Sequence, residues 1–178
     1  NPHGNGTHTE CYGHIDKQQQ KVGELMEEHH GWLYFQRLPM RQEGEDLILK
    51  LEDLKIPEEG LPAFVALAAD GLAFPKNFSN TNPPYFEAAL CRFLAEAGVS
   101  HLLTNLPSVD REEDGGALAA HRAFWQYPEA IRKQATITEL AYFPADLIEG
   151  MYFVNLQVAP LHNDAAPSRP VFYPVKAK

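Results

Sequence analysis

Cysteine is scarce in this sequence. The 178 residues contain two, Cys11 and Cys91, which form no CxxC pair, so the sequence predicts neither a disulfide scaffold nor a zinc ribbon. Basic residues are outnumbered: 15 Lys and Arg against 24 Asp and Glu give a net charge of −9, whereas proteins that bind duplex nucleic acid are usually basic. No apolar run approaches the roughly 18 residues of a membrane-spanning helix. We therefore expect no membrane span and no nucleic-acid partner.

Several common catalytic motifs are also missing. The sequence contains no GxSxG nucleophile elbow, no phosphate-binding P-loop, no GxGxxG and no HExxH. It does contain many carboxylates and eight histidines. These are the side chains that bind hard and borderline cations, so the composition is compatible with a metal-dependent enzyme.

The length of the chain fits one domain better than two, and we predict a single domain over residues 1–178. A domain of this size buries roughly 70% of its unfolded surface, so it needs no disulfide or metal merely to fold. The sequence begins at Asn1 without an initiator Met, and its most chemically loaded segment lies within residues 3–14. Because chain termini fray, we expect that an upstream portion of the natural protein is missing.

Strands and helices alternate along the chain, which indicates an α/β domain with a mixed β-sheet. A helix is predicted over residues 83–97, capped by Thr81 or Asn82 and ended by Gly98, because apolar residues recur there every three or four positions. A second helix is predicted over residues 115–126, and residues 16–31 form either a short helix or a surface loop. Strands are predicted over residues 32–38, 47–51, 63–67, 99–103, 136–142 and 151–158.

Three histidines and a glutamate cluster near the start of the sequence, where a loop is predicted to enter a strand that continues to residue 15. In a strand, His8, Glu10 and His14 share one face, and neighbouring Cα atoms on that face are about 6.6 Å apart. His8 and Glu10 can therefore bind one ion. His14 would lie about 20 Å from His8 in a straight strand, so it either follows a bend at Gly13 or acts outside the first coordination sphere. His3 can fold back beside His8.

This clustering indicates a metal site, and the alternative is a polar edge strand or a partly ordered terminus. The remaining histidines have other interpretations. His29 and His30 lie in a charged run typical of a solvated surface, whereas His101 interrupts an apolar strand and is interpreted as a hydrogen-bonded core residue. Cys11 is interpreted as a packed thiol.

The segment Gly6-Thr7-His8-Thr9-Glu10, followed by His14, resembles the HxGTHxDxPxH signature of the cyclase family of metal-dependent hydrolases. This family includes bacterial kynurenine formamidases and isatin hydrolases. Further segments resemble family motifs in order over about residues 1–175: residues 93–99, 105–110, 137–140 and 167–170, together with His121. The resemblance implies a compact α/β fold with a mixed β-sheet and flanking helices, assembled as a homodimer or homotetramer.

The resemblance also implies an activity. It predicts a cytoplasmic enzyme that hydrolyses an amide-like bond of a small molecule (an aryl formamide, a cyclic amide or a related carbonyl compound) with a metal-activated water. His14 is the candidate general base, because an imidazole exchanges protons near neutral pH. One or two zinc or manganese ions would be held by His3, His8, Glu10, His121 and Glu139.

Two departures from the family pattern leave an alternative open. Glu10 replaces the usual aspartate of the signature, and Asn105 replaces an aspartate at the end of a predicted strand. These changes make a non-catalytic member of the same fold, which binds a metal or a small ligand, the second hypothesis. A structural module without metal is the third.

Overall fold

Strands dominate the computed structural model, which describes residues 2–4, 6–16, 20–72, 76–79 and 81–175. The strands are β1 His8–Glu10, β2 His30–Leu38, β3 Arg41–Glu43, β4 Asp46–Leu49, β5 Phe64–Ala69, β6 Tyr85–Phe86, β7 His101–Leu103, β8 Thr136–Glu139, β9 Gly150–Val158 and β10 Ala165–Pro174. The α-helices are α1 Val22–Leu25, α2 Ala88–Glu96 and α3 Ala119–Trp125. Short 3₁₀ turns lie at Pro2–Gly4, Tyr12–His14 and Leu51–Asp53. Among the described residues, none of these helices has the length and apolar character that crossing a membrane requires.

Seven of the strands close into a barrel in the order β1-β10-β9-β2-β5-β7-β8. The pairs from β2 through β5 and β7 to β8 are parallel, and the pairs that return through β1, β10 and β9 are antiparallel. The predicted mixed sheet is therefore present, but the sequence did not predict that it closes into a barrel. Closure depends on the three-residue strand β1, which pairs with β8 on one side and with β10 on the other.

The parallel strands of the barrel are buried on both of their faces. All six residues of β5 are buried, as expected for a strand in the middle of a parallel sheet. Val65 and Leu67 pack with α2 and α3 in one hydrophobic cluster, whereas Phe64 and Ala66 belong to a second cluster on the opposite face. The predicted buried strand at residues 63–67 is thus confirmed, and it separates the helix layer from the barrel interior.

The helices are fewer and shorter than predicted. The helix expected over residues 83–97 begins at Ala88, because Tyr85 and Phe86 instead pair with β4. Its N-cap is Glu87, not Thr81 or Asn82, and the Glu87 carboxylate accepts the backbone N–H of Leu51 at 3.0 Å. The helix expected over residues 115–126 begins at Ala119, after Leu118 with a φ of 48°.

Most predicted strands are present with shifted ends, and three strands were not predicted. The strand predicted over 136–142 ends at Glu139, since Leu140 has a φ of 51°. Residues 16–31 contain the short helix α1, although residues 17–19 lie outside the described part. The unpredicted strands are β3, β6 and β10. Of these, β10 pairs with β1 over residues 165–167 and with β9 over residues 168–174.

The strand predicted to run through the histidine cluster ends early. β1 stops at Glu10, and the chain then turns through the 3₁₀ turn Tyr12–His14, where His14 N–H donates to the Cys11 carbonyl at 3.0 Å. Gly13 makes this turn possible: a Cβ atom at this position would lie 2.4 Å from the Gln20 carbonyl oxygen. The chain therefore bends at Gly13, which is one of the two possibilities that the sequence left open, and the separation of about 20 Å between His14 and His8 in a straight strand does not apply.

Candidate metal centre

Strand pairing brings His8 and Glu139 together. The two residues are partners in the antiparallel β1·β8 ladder, and His8 Nε2 lies 3.3 Å from Glu139 Oε2. Glu10 lies two positions along β1 and therefore shares the face of His8, as the sequence predicted. The three side chains are almost completely buried. The barrel wall thus presents one imidazole and two carboxylates on a single buried face.

Helix α3 contributes a further imidazole to the site, that of His121. His121 Nε2 lies 2.9 Å from Glu10 Oε1 and 3.6 Å from Glu139 Oε1, so one imidazole contacts both carboxylates. Asp110 holds the start of this helix, because its carboxylate accepts the backbone N–H groups of Ala120 at 2.7 Å and His121 at 3.1 Å. The short helix therefore directs His121 toward β1 and β8.

His3 and His14 complete the cluster from the more exposed side. His3 Nδ1 lies 3.1 Å from Glu10 Oε2, and His14 Nδ1 lies 3.6 Å from the same oxygen. The ring centroids of His3 and His8 are 5.1 Å apart, which agrees with the expectation that His3 folds back beside His8. The structure thus brings together all six residues that the sequence singled out, while their roles as ligands or base stay predictions.

Three of these histidines use one ring nitrogen for a hydrogen bond that points away from the cluster centre. Each acceptor is a carbonyl or carboxylate oxygen, so it fixes a proton on that nitrogen. The other ring nitrogen then faces Glu10 or Glu139. The outward bonds run from His8 Nδ1 to the Gly6 carbonyl (2.9 Å), from His121 Nδ1 to Asp110 Oδ2 (2.5 Å) and from His3 Nε2 to Asp164 Oδ2 (2.9 Å).

The carboxylates and imidazoles shift one another's pKa values strongly. Contact with the Glu10 carboxylate raises the pKa of His3 to about 8, although burial opposes this shift. Burial by itself lowers the pKa of His121, but the carboxylates of Asp110, Glu10 and Glu139 outweigh burial and raise it well above the usual value. His121 and His3 in turn keep the pKa of Glu10 low despite its burial. The cluster therefore stabilises positive charge beside its carboxylates, and a cation would meet the same field.

Two buried atoms support the fit of a metal ion. His8 Nε2 and Glu10 Oε2 have no hydrogen-bond partner among the described residues, although charged neighbours lie within 3.3 Å of them. Burying a polar atom without a partner is costly, and a coordinated cation would remove that cost. Nitrogen and carboxylate ligands of this kind suit zinc or manganese.

Among the described residues, three groups of three His, Asp or Glu side chains have potential metal-ligand atoms that all lie within 4.8 Å of one another. Glu139 belongs to none of them, and its Oε1 accepts the backbone N–H of Val109 at 3.0 Å. His14 belongs to two groups, so its position is compatible with a ligand as well as with a base. The groups are His3 with His8 and Glu10, His3 with His14 and Asp164, and Glu10 with His14 and His121.

Two carboxylates in contact with the cluster were missed at the sequence level. Asp110 ends a segment that resembles a family motif, but that resemblance gave it no role. Asp164 is a single acidic residue in the connection before β10, and nothing in the local sequence distinguishes it. Only the folded chain shows that these carboxylates accept hydrogen bonds from His121 and His3.

Residues outside the cluster are explained by packing. Asn105 is buried, and its side-chain amide binds both backbone groups of Ala69, accepting the N–H at 2.9 Å and donating to the carbonyl at 3.2 Å. His101 is buried and its Nδ1 lies 2.8 Å from Thr136 Oγ1, which confirms the core interpretation. Burial raises the pKa of Cys11 to about 12, as expected of a packed thiol.

A cavity of about 300 Å³ adjoins the cluster at His3. Its wall includes Lys76, Phe78, Glu112 and Leu140, so it combines charged groups with an aromatic ring. This volume is at the lower end of the range for small-molecule sites. The histidine cluster therefore has room for a small substrate beside it.

Comparison with known proteins supports this picture of the fold. Residues 1–111 match the profile of the Cyclase family, described as "Putative cyclase". The structure is similar to that of a "potential metal-dependent hydrolase with cyclase activity" (19% identity, TM-score 0.66, covering 97% of this chain and 79% of that one). A predicted metal-dependent hydrolase from Bacillus stearothermophilus is also similar (18% identity, TM-score 0.60, covering 97% and 77%).

An isatin hydrolase shares the fold as well. Isatin hydrolase A from Labrenzia aggregata, solved with benzyl benzoate bound, has 14% identity and a TM-score of 0.66, covering 94% of this chain and 72% of that one. No curated protein sequence matches the chain. At these identities the structural likeness establishes a shared fold.

Proposed function

The chain belongs to the Cyclase family, and from this premise we propose that it is a metal-dependent hydrolase that cleaves an amide-like bond. The observation that carries the proposal is the orientation of three imidazoles. His3, His8 and His121 each hold a proton on the outward nitrogen and turn the other nitrogen toward Glu10 or Glu139. Such an arrangement is what a cation with mixed nitrogen and oxygen ligands requires.

The proposed ligands of one or two zinc or manganese ions are His3, His8, Glu10, His121 and Glu139. When bound, an ion of this kind polarises a carbonyl group and lowers the pKa of water toward about 7. Glu10 is the central ligand, since its two oxygens reach His121 on one side and His3 on the other. No side-chain nucleophile is needed, in keeping with the absence of serine and cysteine motifs.

His14 is the proposed proton acceptor. Its side chain is 30% exposed, whereas those of His8 and His121 are buried, so it can exchange protons with solvent. Its Nδ1 lies 3.6 Å from both Glu10 Oε2 and Asp164 Oδ2. This nitrogen therefore faces two carboxylates at the edge of the cluster.

The proposed substrate is a small molecule with a carbonyl group bonded to nitrogen, such as an aryl formamide or a cyclic amide. The cavity beside His3 would admit it from the side of Lys76 and Phe78. The isatin hydrolases among the structural neighbours support a cyclic amide as the first compound to test.

The alternative is a non-catalytic protein of the same fold that binds a metal or a small ligand. This hypothesis arose from two departures from the family pattern, Glu10 and Asn105, which support it to different degrees. Asn105 lies in the core and satisfies both backbone groups of Ala69, a task for which an aspartate has no donor, so this departure does not weaken the site. Glu10, in place of the shorter aspartate, still reaches His121 and His3. The alternative therefore rests on Glu10 alone.

One experiment separates these possibilities. The metal content of chelator-free protein is measured by mass spectrometry, and turnover of N-formyl aryl amides, cyclic imides and lactones is followed with added Zn²⁺ or Mn²⁺. We expect bound metal and hydrolysis of at least one amide-like compound. The isosteric variant Glu10→Gln serves as the control and should lose both. Bound metal without turnover supports the non-catalytic alternative, and absence of metal contradicts the proposal.

The remaining expectations concern partners and context. A homodimer or homotetramer, a cytoplasmic location, the absence of nucleic-acid partners and a single domain over residues 1–178 stay predictions. Light scattering at micromolar concentration tests the assembly, and a mass near 20 kDa, that of one chain, would count against it.

A further inference from the structure

His3, like His121, contacts a carboxylate with each of its ring nitrogens. Its Nδ1 lies 3.1 Å from Glu10 Oε2, and its Nε2 lies 2.9 Å from Asp164 Oδ2. The imidazole therefore bridges two carboxylates. We infer that Asp164 is a positioning residue, which orients His3 so that Nδ1 faces the metal; this inference rests on the proposed function.

The carboxylate of Asp164 determines which nitrogen of His3 is offered. An ionised carboxylate only accepts hydrogen bonds, so the contact at 2.9 Å requires a proton on Nε2. When a cation replaces the proton between Nδ1 and Glu10, Asp164 keeps the proton on Nε2, so Nδ1 is the nitrogen that is left to bind the cation. Asp110 has the same relationship to His121, with the nitrogens exchanged, since there Nδ1 is bound and Nε2 faces Glu10. Outer carboxylates of this kind orient imidazole ligands in metal sites generally.

His3 needs such support more than its neighbours do. His8 and Glu10 lie in β1, which is paired on both sides, and His121 lies in α3. His3 instead belongs to a three-residue 3₁₀ turn. A side chain carried by so short an element depends on side-chain contacts for its orientation.

Asp164 is itself well anchored. Its backbone carbonyl accepts the N–H of Cys11 at 3.0 Å, directly after β1, and the next residue begins β10. Asp164 is therefore held directly before Ala165, the ladder partner of Glu10. The carboxylate oxygen Oδ2 of Asp164, which contacts His3, also lies 3.6 Å from His14 Nδ1. The ring centroids of His3 and His14 are 4.6 Å apart. The carboxylate of Asp164 thus faces both of the partly buried imidazoles, those of His3 and His14.

The test compares Asp164→Asn with Asp146→Asn, which removes the same charge at an exposed position of the chain. Zinc affinity is measured by competition with a chelator, and zinc-loaded protein labelled with ¹⁵N-histidine is studied by NMR. In the wild type we expect one imidazole bound through Nδ1, assigned to His3 by its loss in His3→Gln. Asp164→Asn should weaken zinc binding by about 10–100-fold and abolish the Nδ1 signature. Its urea midpoint without zinc should match that of Asp146→Asn.

A conservative variant supplies a rescue. Asp164→Glu keeps an acceptor for His3 Nε2 and should recover most of the zinc affinity. A merely structural role would not produce this pattern, because it would change the urea midpoint and leave the NMR signature intact in folded protein.

The outcomes that overturn the inference are distinct. If Asp164→Asn binds zinc as tightly as Asp146→Asn and its ¹⁵N pattern is unchanged, Asp164 does not position His3. The proposed function is unaffected by that result. A fall in stoichiometry from two zinc ions to one makes Asp164 a ligand instead. Wild type that binds no zinc removes both proposals. Wild type that binds zinc without hydrolysing any amide contradicts only the proposed function, and the zinc affinities and spectra still decide on Asp164.

Discussion

Asp110 Oδ2 accepts two hydrogen bonds from His121, one from its backbone N–H at 3.1 Å and one from its ring Nδ1 at 2.5 Å. One oxygen therefore fixes both the helix position and the ring orientation of the same residue. This double contact couples the fold to the chemistry of the cluster. A change at Asp110 should consequently affect stability and metal binding together.

The first prediction follows from this coupling. Asp110→Asn places an amide N–H where His121 already has two donors, so the variant should lose about 1–3 kcal/mol of unfolding free energy. Its zinc affinity should fall by about 10–100-fold, because His121 Nε2 loses its fixed orientation. Urea unfolding and zinc titration measure the two effects.

A nearby aspartate provides the control for Asp110. Asp114 accepts backbone N–H groups from Gly116 at 2.7 Å and Leu118 at 2.6 Å, and its carboxylate makes no hydrogen bond to a residue of the cluster within the described part of the chain. Asp114→Asn should therefore lower stability and leave zinc affinity unchanged. Equal zinc affinity in Asp110→Asn and the wild type would contradict the proposed role of Asp110.

The second prediction concerns His14. If it transfers a proton without holding the ion, His14→Ala should keep its metal while hydrolysis falls by about 10²–10⁴-fold. His8→Ala should lose metal and activity together, since His8 is buried against Glu139. Metal content and turnover of each variant decide the assignment. Loss of metal in His14→Ala would make His14 a ligand, and full activity would make it a bystander.

The third prediction tests the turn that carries His14. An alanine at position 13 would place its Cβ 2.4 Å from the Gln20 carbonyl oxygen, a backbone atom that has little freedom to move away. Gly13→Ala should therefore lower the unfolding free energy by about 1–3 kcal/mol and displace His14 from the cluster. Gly23→Ala is the control, because its Cβ would meet only an ordinary contact at 3.5 Å. Equal stability of the two variants would contradict the steric argument.

The fourth prediction is a pH dependence centred on His101. Burial lowers its pKa from 6.5 to about 4, and the positive charges of His29 and Arg132 act in the same direction. Glu28 Oε2, an exposed carboxylate 3.9 Å from His101 Nε2, does not offset them. Between pH 6.5 and 4, His101 is therefore protonated in the unfolded chain but stays neutral in the folded chain. Stability should fall as the pH drops through this window.

The size of this effect is set by the two pKa values. His101 should lower the unfolding free energy by about 2 kcal/mol between pH 7.5 and pH 5. In His101→Asn this contribution is absent, while the other histidines titrate as before. The difference between the two proteins, measured by urea unfolding at both pH values, isolates His101. Parallel pH profiles would contradict the prediction.

Much of the site could be predicted because its signal is local. His8 and Glu10 share a face of β1 through simple strand alternation, and this part needs no knowledge of the rest of the fold. Most predicted strands are also present, since their apolar runs depend on nearby residues. His121 and Glu139 came only from the family resemblance, because nothing in their local sequence links them to β1.

The remaining features depend on contacts between distant parts of the chain. Closure of the barrel requires β1 to pair with both β8 and β10, a relationship that no local pattern contains. The turn at Tyr12–His14 depends on the close approach of Gln20 to Gly13. Asp164 meets His3 only after β10 has paired with β1. The closure of the barrel and the role of Asp164 were missed, and the bend at Gly13 was only one of two possibilities, because the deciding contacts are made by residues outside the local pattern.

The pairing of β10 has a consequence for association between chains. Beyond residue 167, β10 pairs with β9 on one side, and no other described strand pairs with it on the other. Ser168 donates its N–H to Thr7, on the side of β1, so by alternation the backbone groups of Pro170, Phe172 and Pro174 face that open side. Two of these three residues are prolines, which have no N–H to donate. Phe172 alone offers a donor there, so the prolines protect an exposed strand from edge-to-edge aggregation at no cost to the ladder with β9.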